Sequence, residues 1–91
     1  MFKRQIARGV ELLNRERPGW LQKIDLDTLN MENPLCCVLG QVDGGYWKSS
    51  LQDFDGFNLS WDEATGVQAI AKWDKLTEEW KEKIIELRGK G

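Results

Sequence analysis

The sequence predicts a mainly α-helical fold, a small single-domain bundle of three to five helices. Apolar residues recur at helical spacing near both ends, as Phe2, Ile6, Val10, Leu13 and as Trp73, Leu76, Trp80, Ile84, Leu87. Between these stripes lie helix stops and starts at Pro18-Gly19, Asn33-Pro34 and Gly44-Gly45. With 91 residues, 41% hydrophobic and 31% charged, the chain can fill one modest core but not two. No repeat or linker divides it, so residues 1–88 are expected to form one helical domain and 89–91 a flexible tail.

In the first helix the apolar face is matched outside by Glu11 and Arg15, which can pair one turn apart. Pro18 disfavours helix at Arg17, and Gly19 completes a sharp turn that folds Trp20, Leu21 and Ile24 back onto that helix. The stretch "IDLDTLNM" reads as a turn or a short 3₁₀ piece, with Asp27-Thr28 suited to a helical start. At Asn33-Pro34 a helix is expected, Asn capping and Pro first, with Leu35, Val38, Leu39 and Val42 as its apolar stripe. It should end or kink near Asp43–Gly45, followed by a second short helix over Tyr46–Leu51. Residues 53–66 read mainly as loop, and a small hairpin pairing Phe57–Trp61 with Val67–Ala71 is an alternative. Against the hairpin, Val67, Ile70 and Trp73 also fit helical spacing. The final helix is expected to carry Glu78/Glu82 and Glu79/Lys83 on its outer face.

Net charge is −2, with the acidity concentrated in residues 31–63, which hold six acidic groups and one basic group. The chain has no histidine, which removes Ser-His-Asp and Cys-His nucleophile sites and the commonest metal ligand. Cys36 and Cys37 are adjacent, and neighbouring helical positions point about 100° apart, a poor chelating pair. One cysteine is expected to pack as a small hydrophobe and the other to stay partly exposed. An EF-hand register with Gly56 at its glycine position places Asp53, Asp55 and Asp62 on ligand positions but puts Leu51 first, where it cannot ligate. Asp43-Gly44-Gly45 lacks the spacing and the trailing Lys-Ser/Thr of a phosphate loop. The expectation is a non-enzyme with no cofactor and no metal.

No run approaches the ~20 apolar residues of a membrane span, and the basic opening has no apolar core behind it, so a cytoplasmic, untargeted protein is expected. Helix one offers Lys3, Arg4, Arg8 and Arg15 to a phosphate backbone, and a nucleic-acid-binding regulator using that face is the alternative function. Glu11 within that stripe and a pI near 5.1 argue against it.

Several blocks together resemble a family of small uncharacterised proteins from phages of actinobacteria and from actinobacterial genomes. They are Pro18-Gly19-Trp20, Ile24-Asp25-Leu26 with Leu29, Cys37-Val38-Leu39-Gly40-Gln41, and Leu76-Thr77-Glu78-Glu79-Trp80. The resemblance spans nearly the whole chain. This sequence departs from it in placing a second cysteine before Cys37, which speaks against a two-thiol role. The resemblance implies a phage-type accessory protein acting in the host cytosol, which binds a host or phage protein rather than catalysing a reaction.

Five tryptophans, three phenylalanines and one tyrosine exceed what a core of this size needs. The candidate partner surface is therefore Gln41, Asp43, Tyr46, Trp47, Phe54, Phe57 and Trp61, on a monomer or homodimer.

Overall fold

In the computed structural model, residues 2–52, 56–59, 64 and 67–89 are described. They form four α-helices and one 3₁₀ turn, and no strand occurs among them: α1 (Lys3–Glu16), α2 (Trp20–Lys23), α3 (Val38–Asp43), the 3₁₀ turn (Tyr46–Lys48) and α4 (Ala69–Gly89). The mainly helical, compact domain is as the spacing predicts. No helix among the described residues is long and apolar enough to cross a membrane.

The α1 stripe buries Ile6, Val10 and Leu13, and α4 answers with Leu76, Trp80 and Ile84. Between the helices three rings lock together. Trp80 meets Trp20 edge to face at 6.2 Å and stacks on Phe57 at 5.7 Å, while its Nε1–H donates to the Gly56 carbonyl at 2.6 Å. Gly9 lets α1 approach this cluster, since a Cβ there would lie 3.3 Å from both Phe57 and Trp80.

The chain turns as its punctuation demands. Arg17 leaves helical geometry before Pro18, Gly19 takes φ +85°, and Trp20 enters the core with its Nε1–H donating to Asn14 Oδ1 at 2.9 Å. Gly44, also at φ +85°, ends α3.

Several elements differ from the sequence-based expectation. Asn33 does cap a turn, its Oδ1 accepting from Leu35 N at 2.8 Å and Cys36 N at 3.3 Å, but the turn does not propagate. Cys37 adopts extended geometry (ψ 173°) and the helix restarts at Val38, so Leu35 is left exposed instead of joining the stripe. The helix after the glycine pair shrinks to three residues. Of the alternative hairpin, Ala69, Ile70 and Ala71 belong to α4 and not to a strand, while residues 60 and 61 lie outside the described residues. Glu79 is buried rather than solvated: its Oε1 accepts from Phe2 N at 2.9 Å, which satisfies a donor at the start of α1 that has no side-chain cap.

Candidate functional site

The expected site residues fall around α3 and the 3₁₀ turn, and most of them prove to be fixed by internal bonds. Cys37 is the N-cap of α3. Its Sγ accepts from Gly40 N at 3.2 Å, and burial pushes its thiol pKa up, against the opposing effect of backbone N–H groups. Cys36 is half-buried. Gly40 is required where it stands: a Cβ would lie 2.4 Å from the Pro34 carbonyl oxygen and 2.7 Å from the Leu35 carbonyl carbon.

Gln41 works as a staple. Its Oε1 accepts from Asp25 N at 2.6 Å, and its Nε2 donates to Cys36 O at 2.9 Å and Asp25 O at 3.2 Å. One side chain thus joins the loop after α2 to the turn before α3, leaving little capacity for a partner.

Asp43 is likewise committed. Arg17 grips it as a fork, Nε to Oδ1 at 2.9 Å and Nη2 to Oδ2 at 3.3 Å. Burial alone would raise the Asp43 carboxyl pKa. The bonds from Arg17 and from the Ser49 hydroxyl, with the nearby charges of Arg17 and Lys23, outweigh burial and hold it below its ordinary value. The same hydrogen bond raises the Arg17 pKa further above its ordinary value.

Tyr46 is half-buried. Its hydroxyl donates to Gln52 O and accepts from Asn58 Nδ2, both at 2.9 Å, and its backbone N–H donates to Pro34 O at 2.8 Å. The turns at Pro34-Leu35 and Tyr46–Lys48 are therefore joined. Trp47, by contrast, is 57% exposed. Its indole lies against Gly45, where a Cβ would come within 3.1 Å of the ring.

Phe57 is withdrawn from the expected surface; at 1% exposure it belongs to the Trp80 stack. Phe54 and Trp61 lie outside the described residues. Leu35, Lys23 and Lys48 are exposed near this region and were not expected in it. Only the failure of the Asn33-Pro34 turn to propagate brings Leu35 out, and that is decided by Cys37 and Gly40 rather than by periodicity.

The surrounding chemistry is sparse. No group of three or more His, Cys, Asp or Glu side chains among the described residues could hold a metal ion. A groove of about 250 Å³ beside Tyr46 is lined mainly by apolar side chains, among them Met31, Pro34, Phe57 and Trp73. What this end of the molecule offers is an exposed tryptophan beside a bonded tyrosine on a short turn. Comparison with known protein families, with curated proteins and with solved structures returns no match for this chain.

Proposed function

We propose that this chain is a non-enzymatic protein-binding module that docks through the Tyr46–Lys48 turn, with the Trp47 indole as its anchor. A single observation carries the reading: Trp47 is the only exposed aromatic among the described residues, and its ring lies close against the Gly45 backbone. A tryptophan contributes a large apolar contact while few of its torsions have to be ordered, which is why such residues dominate binding hot spots. The neighbouring Gln41, Asp43 and Tyr46 shape and stiffen the turn instead of meeting the partner themselves. The resemblance noted above supports a phage-type accessory role in a host cytosol, with a host or phage protein as partner.

The test is capture from an actinobacterial lysate on immobilised wild-type chain, Trp47→Ala, and Glu11→Ala as a surface control. The expected result is a discrete protein retained by wild type and E11A and depleted about tenfold or more by W47A, the loss typical of a hot-spot truncation. Capture that ignores Trp47 would overturn the docking site.

A further inference from the structure

The groove beside Tyr46 gathers aromatic rings and a carboxylate, with its other hydrogen-bond acceptors already engaged. It measures about 250 Å³, below the roughly 300–1,000 Å³ of drug-sized pockets, so its size suits a small ligand. Two half-buried rings, Tyr46 and Trp73, line it together with Met31, and Phe57 lines it from the core, where it stacks on Trp80. Glu32 is the one charged side chain among the described residues of this lining. Its carboxylate is exposed and makes no ion pair or hydrogen bond among the described residues. The neighbouring acceptors are taken. Tyr46 Oη accepts from Asn58 Nδ2, Asn58 Oδ1 from Leu59 N, Cys37 Sγ from Gly40 N and Pro34 O from Tyr46 N. Phe57 and Asn58 also come from a stretch, residues 49–71, that carries four acidic groups and no basic one.

We propose that this groove binds a small, free quaternary ammonium compound of the choline type, its methyl groups on the Tyr46 and Trp73 rings and its charge answered by Glu32. A quaternary ammonium spreads its charge over an apolar surface and is drawn to aromatic faces. It has no N–H to satisfy, whereas a primary ammonium brings three donors to a lining whose uncommitted acceptor is Glu32. A neutral apolar ligand would leave that carboxylate without a role, and an anion would be repelled by it. Trp47 is not among the lining residues, so the proposal stands apart from the docking reading and fails or holds separately.

The test is an NMR titration of the full chain with choline, tetramethylammonium, ethanolamine, and the neutral isostere of choline in which a tert-butyl group replaces the trimethylammonium. Choline and tetramethylammonium are expected to shift the Tyr46, Phe57 and Trp73 signals with a dissociation constant of about 1 mM or below. They should bind about fivefold or more tighter than ethanolamine or the isostere. Glu32→Gln should weaken choline several-fold and flatten its salt dependence. Trp73→Leu should weaken choline several-fold and leave the isostere unaffected, and Glu11→Ala should change neither. Glu32 is exposed, so E32Q keeps the proposal falsifiable even where loss of the Trp73 ring disturbs the fold. Equal binding of the isostere, preference for ethanolamine, wild-type affinity in E32Q, or no shift at about 50 mM choline overturns the proposal. Phosphatidylcholine vesicles and a trimethyllysine peptide present the same group on other carriers. Binding to either that exceeds choline by about tenfold overturns the free compound as occupant.

Discussion

At the scale of single residues, the side chains with the most distinctive polar chemistry near α3 are spent on holding the fold. Gln41 ties Asp25 to Cys36, Cys37 caps α3, and Gly40 makes room for the Pro34 carbonyl. The Arg17–Asp43 fork gives this scale its prediction. The Asp43 carboxyl is lowered in the folded state, so its contribution is present above the unfolded value of about 4 and fades as pH falls through the folded value. Arg17 stays charged throughout, so the pair loses strength only on the acid side. With side chains 30% and 13% exposed, the pair should be worth about 1 kcal/mol near neutrality. Urea unfolding of Arg17→Met should show that deficit at pH 7 and a shrinking one below about pH 4. A deficit constant across that range would mean that Arg17 acts through its bonds to Glu16 O and Ser50 Oγ and not through Asp43.

At the scale of elements, the long helices were legible and the short ones were not, for a physical reason. α1 and α4 bury stripes that repeat over several turns, so periodicity alone locates their faces. Residues 31–52 contain no element longer than six residues, and there the outcome turns on individual bonds. The Asn33 cap closes a single turn and the Cys37 cap starts α3 anew, with Gly40 packed against Pro34 O. No local pattern announces the long-range bonds either. Arg88, near the end of α4, donates from Nη2 to Leu21 O at 2.7 Å and Ile24 O at 2.6 Å, satisfying carbonyls at the end of α2. A four-residue helix is too short to stand alone, so this clamp should be needed to hold α2 in place. Arg88→Ala is expected to cost about 2 kcal/mol, as for hydrogen bonds to a charged donor. Hydrogen exchange should speed up first at the amides of residues 20–24. Uniform acceleration across the chain would place Arg88 in the global core instead.

At the scale of the whole molecule, the aromatic excess divides into a core set and a surface set, and this division links stability to function. Trp20, Phe57 and Trp80 join the α1–α2 corner, the segment before α4 and α4 itself. Trp47 touches none of these rings in the described contacts and sits on its own glycine. The sequence marks Phe57 and Trp47 alike as surplus aromatics, because only the three-dimensional closure of Gly56 against Trp80 decides which ring is inside. The two sets should therefore respond independently. Trp80→Ala removes a fully buried ring, a stacked partner and an indole hydrogen bond, and should cost about 4 kcal/mol, a large share of the stability of a small domain. Trp47→Ala should change the urea midpoint little, because burying less than half of the ring contributes little to the core. Acrylamide quenching of the wild-type chain compared with Trp47→Phe supplies the complementary measurement, the difference reporting Trp47 with the core rings intact. Trp47 fluorescence should be strongly quenched in the folded state, and Trp80 should become accessible only as the chain unfolds. If Trp47 resists quenching while W47A lowers stability as much as a core truncation, its ring belongs to the fold and the docking site fails with it. Strong quenching with an unchanged midpoint would leave Trp47 as a residue the fold does not require, and binding as the reason to hold it on a rigid turn.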